Sequence, residues 1–150
     1  MKNEKLENTI IQFMKFGIVG GINTILSYAI SNGGYYILKF HAQVSDVIAS
    51  QVGNIIAFVI TVFISYILNG KFVFKAEENE NRSFWKSLIK VYASYSITGL
   101  FLTAILLYIE EQIFHIPHYI ATLMNLIVTI PLNFLLNKFW AYKQDNNKNT

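Results

Sequence analysis

The chain has 150 residues, of which 53% are hydrophobic and 14% charged, and its formal net charge is +3. Soluble domains carry about 25% charged residues, so this composition excludes an ordinary soluble surface, and so modest a positive charge does not indicate a nucleic-acid partner. The chain contains no cysteine, which excludes disulfides, a thiolate nucleophile and a cysteine metal site.

Four apolar runs are long enough to cross a membrane, because a helix needs about 20 apolar residues to span a hydrocarbon core of about 30 Å. They lie near residues 16–38, 47–68, 88–109 and 120–139. The first is longer than the roughly 7–15 apolar residues of a signal peptide, so we expect it to be retained. The sequence predicts an all-α integral membrane protein with four transmembrane helices, in a single membrane domain over residues 1–150.

The basic residues set the orientation of these spans. Of the 12 Lys and Arg residues, all but Lys39 fall on one side of the arrangement, whereas the loops of the other side carry Asp46, Glu110 and Glu111. Both termini are therefore predicted to be cytoplasmic. We expect the polar ends of the chain to form mobile tails, and Lys75–Ser83 to form a cytoplasmic loop.

A short motif occurs twice, as SYILNGKFVF at residues 65–74 and NFLLNKFWAY at residues 133–142. An offset of 68 residues aligns Asn69 with Asn137 and also Thr61 with Thr129. A hairpin of two spans returns to its starting side, so the two copies share one orientation. The sequence thus predicts two helical hairpins related as a parallel repeat.

Small and polar residues line one face of the first span. Gly17 and Gly21 form a G-x-x-x-G pair, and the face continues through Thr24 and Ser27 to Ser31. Small residues permit close helix approach in a membrane, which predicts a packing seam; a substrate groove is the alternative. The amides Asn23, Asn54, Asn125 and Asn133 also lie within or near the spans.

An amide is costly in hydrocarbon unless it is hydrogen-bonded, so these side chains are expected to face protein or a wet cavity. Either interhelical bonds or donation to sugar hydroxyls and phosphate oxygens would satisfy them. Pro131 is expected to kink the fourth span, and Pro117 to begin it.

The sequence lacks the residues that several kinds of transport and catalysis require. We expect no acidic residue inside a span, which disfavours a proton-coupled exporter built on a buried carboxylate. The three histidines fall in external loops, and no nucleotide-binding or catalytic motif is present. The sequence therefore predicts a protein that is not an enzyme and that has no metal or cofactor.

The repeated motif has two interpretations. Aromatic residues and lysines at the end of a span form ordinary interface anchors, and Asn69-Gly70 is typical of a left-handed helix C-cap. Two copies with matching spacing also favour a site for a lipid headgroup on the cytoplasmic leaflet. Both interpretations stay open at this point.

The chain resembles the GtrA-like family over about residues 12–142. The similarity lies in KFGIVGGINT at residues 15–24, LNGKFVF at 68–74 and the second motif at 133–142. The family often has Arg where this chain has Gly70-Lys71 and Lys138, so the lysines would attract phosphate as point charges and not as a bidentate clamp.

This resemblance implies a role in moving undecaprenyl-phosphate-linked sugar across the bacterial cytoplasmic membrane. The sugar would serve a surface polysaccharide such as teichoic acid or O-antigen, and a separate membrane glycosyltransferase of the same pathway would use it outside. Two other functions remain as alternatives: a non-transporting adaptor that anchors a glycosyltransferase and, less favoured, a small multidrug exporter.

Under the first hypothesis, the candidate residues fall into three chemical classes. The cations that would attract the phosphate are Lys15, Lys71, Lys90 and Lys138; the aromatics that would stack on sugar or fix depth among the membrane lipids are Phe72, Phe74, Trp140 and Tyr142; the motif amides are Asn69 and Asn137. Four helices enclose little space, so we also expect a homo-oligomer or a partner protein.

Overall fold

The computed structural model describes residues 2–75 and 82–143. Within these ranges the chain is helical and contains no strand. The predicted all-α fold is confirmed, with four helical runs long and apolar enough to cross a membrane. The expected tail at residues 144–150 and most of the expected Lys75–Ser83 loop lie outside the described residues.

Each predicted span lies inside one helical run, and every run extends beyond it. The elements are α1 (Lys2–His41), α2 (Asp46–Leu68), π1 (Asn69–Val73), α3 (Phe84–Ser96), π2 (Ile97–Leu102), α4 (Thr103–Tyr108), π3 (Ile109–Ile113), α5 (His118–Leu136) and π4 (Asn137–Ala141). The 40 residues of α1 make a helix of about 60 Å. α1 begins at Lys2, so the polar residues that precede the first predicted span are helical.

The chain divides into two compact units, Met1–Val73 and Phe74–Thr150. The first unit is a hairpin in which α1 packs along α2 and π1. In the second unit α3 packs against π4, while α4 packs against α5. Each unit therefore contains one pair of spans, as the repeated motif predicts.

Small buried residues recur at every fourth position of the second span in each unit. They are Ala49, Gly53, Ala57, Thr61, Ser65, Asn69 and Val73 in the first unit, and Ala121, Asn125, Thr129, Asn137 and Ala141 in the second. Asn133, at the remaining position of the second series, is half-buried. Residues four apart form a ridge along a helix, so each unit packs along a ridge of small side chains.

The closest approach of α1 and α2 lies at Gly34 and Gly53. A Cβ atom at Gly53 would lie 2.7 Å from the Ser31 carbonyl oxygen and 3.2 Å from the Tyr35 nitrogen. A Cβ at Gly34 would lie 3.2 Å from the Gly53 Cα. The backbones of the two helices therefore meet there with no room for a side chain.

The predicted packing seam at Gly17 and Gly21 is wrong for this unit. Both glycines are exposed, and a Cβ atom on either would meet nothing within 4 Å among the described residues. The α1–α2 contact is made further along α1, where Gly34 faces Gly53. The G-x-x-x-G face is thus an open surface of α1.

The first motif does not end its helix. Asn69 has right-handed helical angles, φ −64° and ψ −41°, and no described glycine has a positive φ. The expected left-handed C-cap is therefore wrong, because α2 continues directly into the wider turn of π1. Pro117 immediately precedes α5, as expected for a proline at a helix start.

Candidate functional site

The fifth residue of each copy of the motif is a buried asparagine that opens a π-helical turn. Asn69 opens π1 and Asn137 opens π4, and each is 0% exposed. The Asn69 Nδ2 donates to the Ser65 Oγ at 3.3 Å, and the Asn137 Nδ2 donates to the Asn133 carbonyl oxygen at 2.7 Å. Single π turns within helices occur frequently at functional sites.

Each of these two amides also has an acceptor without a donor. The Oδ1 atoms of Asn69 and Asn137 are buried and have no hydrogen-bond partner among the described residues. A buried polar atom without a partner costs about 1–3 kcal/mol. The same costly arrangement occurs at equivalent positions of the two units, which marks it as a property of the repeat.

The four motif aromatics fall into two classes. Phe74 and Tyr142, which close the two copies, are buried, and their ring centroids stack 4.8 Å apart within the second unit. Phe72 and Trp140 are exposed, by 49% and 41%. The exposed pair is free to contact lipid or a headgroup sugar, whereas the buried pair packs inside the protein.

Arg82, the only arginine of the chain, adds a cation to the buried pair. Its Nη1 donates to the Phe74 carbonyl oxygen at 2.8 Å, and its guanidinium carbon lies 5.2 Å from the centre of the Tyr142 ring. Sequence reasoning placed Arg82 in a polar loop and missed this contact. The only signal in the sequence was that the chain has a single arginine.

The candidate lysines lie in different surroundings. The Lys71 Nζ lies 5.8 Å from the Phe72 ring centre, and the Lys138 Nζ lies 5.6 Å from that of Phe134. Lys15 is exposed on α1, and Lys90 is half-buried on α3. The structure thus brings Lys71 and Lys138 against aromatics of their own motifs and places the other two on separate helices.

A polar groove of about 530 Å³ opens on the first unit. It is lined by Asn23, Thr24, Ser27, Tyr28, Ser31 and Asn32 of α1 and by Asn54 of α2. The Ser31 hydroxyl donates to the Asn54 Oδ1, while the Asn23 Oδ1 is buried without a donor among the described residues. Two of the four predicted intramembrane amides therefore meet in this groove.

The other two amides form internal pairs in the second unit. The Thr98 hydroxyl lies 2.6 Å from the Asn133 Oδ1, and the Asn125 Nδ2 donates to the Glu110 Oε2 at 2.8 Å. Both pairs join a π-helical turn, π2 or π3, to α5. They are interhelical bonds of the kind that stabilises membrane bundles.

Glu110 lies within a helical run, one residue beyond the predicted span 88–109. The third helical run extends to Ile113 because π3 continues it, so the candidate span Phe84–Ile113 contains Glu110. Glu110 is only 9% exposed, and Asn125 is its hydrogen-bond donor. In the described part of the chain, no group of three or more His, Asp or Glu residues could hold a metal.

A family model described as GtrA/DPMS, transmembrane domain, matches residues 15–142. No curated protein and no solved structure matches the chain significantly. The match covers most of the chain and agrees with the four apolar helical runs. Proteins of the GtrA family are generally non-catalytic membrane proteins. The chain belongs to the GtrA/DPMS transmembrane-domain family and is a multi-pass membrane protein of glycosylation-related lipid-linked sugar handling.

Proposed function

We propose that the protein translocates undecaprenyl-phosphate-linked sugar across the bacterial cytoplasmic membrane, with both of its termini in the cytoplasm. The sugar serves glycosylation of a surface polysaccharide such as teichoic acid or O-antigen. The protein itself performs no chemistry on it, and a membrane glycosyltransferase of the same pathway is the partner that uses the translocated sugar.

The polar groove of the first unit is the observation that carries this proposal. Its seven lining side chains are all polar, yet they belong to helices apolar enough to cross a membrane. Polar groups exposed to hydrocarbon without partners are unfavourable, and the Asn23 Oδ1 has no donor among the described residues, so the groove favours a hydrophilic occupant. A sugar suits it because its hydroxyls both donate and accept, and one could donate to the Asn23 Oδ1.

The repeated motifs supply a second part of the path. Lys71 and Lys138 place cations beside aromatic rings at the predicted cytoplasmic ends of their spans. An ammonium group attracts phosphate as a point charge. The exposed rings of Phe72 and Trp140 then offer faces on which a headgroup sugar can stack. We propose that, on the first unit, the lipid-linked sugar binds at Lys71 and Phe72 before it enters the groove.

A transport assay tests the role of the groove. The purified protein is placed in liposomes, and translocation of a short-chain polyprenyl-phosphate sugar is measured for wild type, Asn54→Leu and Gln51→Leu. Gln51 is exposed on the same helix and does not line the groove, so the two variants lose the same chemical group. We expect Asn54→Leu to lose most translocation and Gln51→Leu to retain it.

Two results would contradict the proposal: a folded wild-type protein that moves no sugar, or equal rates for the two variants. The first result would favour the adaptor function. The open face at Gly17 and Gly21 supports that alternative, because exposed small residues permit a partner helix to approach closely. Capture of a glycosyltransferase that is lost on Gly21→Leu, without transport by wild type, would establish it.

A further inference from the structure

We propose that Glu110 and Asn125 form a proton-binding site in the second unit. Glu110 lies on π3 and Asn125 on α5. They are 9% and 3% exposed, and 2.8 Å separates the Glu110 Oε2 from the Asn125 Nδ2. Ionisable groups inside membrane spans are rare and usually functional, and this site has a defined partner.

The hydrogen bonds of Asn125 leave one position open. Its Nδ2 donates to the Glu110 Oε2 and also to the Ala121 carbonyl oxygen at 3.1 Å, so both amide hydrogens are committed. Its Oδ1 is buried and has no donor among the described residues. The Asn125 Oδ1 can therefore accept one hydrogen bond that no described residue supplies.

A proton on Glu110 supplies that hydrogen bond. In the protonated form, one carboxyl oxygen carries an O–H group that can donate to the Asn125 Oδ1, while the other still accepts from the Asn125 Nδ2. The two groups then form a cyclic acid–amide pair with two hydrogen bonds. Binding takes up one proton from solution and removes one buried negative charge. Release returns the proton to solution and restores the charge.

Among the described residues, no cation is paired with Glu110. The titratable groups near Glu110 in the sequence have other partners or are exposed. The Glu111 Oε1 lies 2.5 Å from the His118 Nδ1, the His115 Nδ1 lies 3.5 Å from the Glu111 carbonyl oxygen, and Tyr108 is 65% exposed. A buried carboxylate without a partner cation is unfavourable.

The site belongs to the second unit alone. An offset of 68 residues aligns Asn125 with Ala57, which is buried and carries no polar group. In the second unit, one position of the ridge of small residues is thus occupied by an amide that pairs with an acid. Coupling of the proton to sugar translocation rests on the proposed function, whereas the site itself does not.

Infrared spectroscopy of the full-length protein in liposomes tests the site directly. Across a pH series, we expect a carboxylic-acid carbonyl band that is absent in Glu110→Gln and present in Glu111→Gln. Asn125→Leu should move this band to higher wavenumber by removing its hydrogen bonds, whereas Asn133→Leu, an amide change on the same helix, should leave it in place. Carboxyl-labelled glutamate in wild type assigns the band even if Glu110→Gln does not fold.

Three results would overturn the site: no glutamate band in the labelled wild type, no loss of a band in folded Glu110→Gln, or a band that does not shift in Asn125→Leu. Replacement of choline by sodium at fixed pH is the remaining control. Loss of the band on adding sodium would identify a sodium site instead of a proton site.

A pH gradient across the same liposomes tests the coupling. One pH unit corresponds to about a tenfold ratio of concentrations for one proton per sugar, so wild type should accumulate sugar accordingly. Glu110→Gln should translocate sugar without responding to the gradient, and Glu111→Gln should respond as wild type does. A wild type that translocates but ignores the gradient overturns the coupling and leaves the proposed function intact. If wild type translocates nothing, the proposed function fails and the infrared band alone decides the site.

Discussion

The two units use similar polar residues in opposite ways. In the first unit α1 is one uninterrupted α-helix, and its polar side chains line an open groove. In the second unit the corresponding run contains two π-helical turns, and polar residues within them bond to α5. The odd-numbered span of the first unit therefore presents polar groups to an open groove, while that of the second unit bonds them to α5.

This difference shows what a duplicated hairpin can change and what it keeps. The ridge of small residues and the buried asparagine at the π turn are the same in both units. The odd-numbered span differs, because a π turn rotates the residues that follow it and so redirects a polar side chain. We infer that the shared ridge holds each hairpin together, whereas the differing odd-numbered spans divide the proposed tasks of lining a sugar groove and binding a proton.

The largest expected effect is on the first hairpin, from Gly53→Leu. A side chain there overlaps backbone atoms of α1, and backbone cannot move aside as a flexible side chain can. We expect a loss of about 3 kcal/mol in the free energy of unfolding, measured by thermal unfolding in detergent. Gly21→Leu is the matched control, since its Cβ meets nothing within 4 Å; equal destabilisation by the two changes would mean that α1 and α2 do not meet at Gly53.

Substitution of the paired asparagines tests what the units share. Asn69→Ala and Asn137→Ala each remove one buried acceptor that has no donor among the described residues and keep a small side chain on the ridge, so we expect the protein to remain folded at unchanged level while sugar translocation in liposomes falls about tenfold. Asn69 and Asn137 serve as each other's control because they occupy equivalent positions. Full transport by both variants would reduce the motif to a pair of interface anchors.

The smallest expected effects separate internal pairs from groove residues. Thr98→Val leaves the Asn133 Oδ1 without its 2.6 Å partner at a fully buried position, whereas Ser31→Ala removes a bond in an open groove. Hydrogen bonds between membrane helices average about 0.6 kcal/mol and reach about 1.7. We expect Thr98→Val to lie near the upper value and Ser31→Ala at or below the mean, by thermal unfolding. The reverse order would remove the distinction between the two units.

The sequence predicted the fold well because long apolar runs have few alternatives in a membrane. It also located the repeat, since both copies of the motif keep their spacing. The C-cap at Asn69 was predicted wrongly because α2 widens into a π turn at a residue that often ends helices. No local signal distinguishes these two outcomes.

The site was predictable in its parts and not in its pairings. The amides Asn23, Asn54, Asn125 and Asn133 were predicted to need hydrogen-bond partners, because an unpaired amide is costly in hydrocarbon. The structure gives partners to Asn54, Asn125 and Asn133. Their partners depend on helix rotation and on the π turns, neither of which a hydropathy pattern encodes. Glu110 was placed in a loop because the apolar run ends one residue before it.

The ridge of small residues has a consequence for how this protein can diverge. On the second span of each unit, packing constrains one position in four, and it constrains size more than chemical identity, since Gly53 aligns with Ala121 and Ser65 with Asn133. Most of the other positions are exposed and can drift among apolar residues, apart from buried ones such as Val62, Tyr66 and Phe134. Two copies of the hairpin can therefore lose nearly all sequence identity while their folds stay the same, and a mutational scan should show intolerance with a period of four residues.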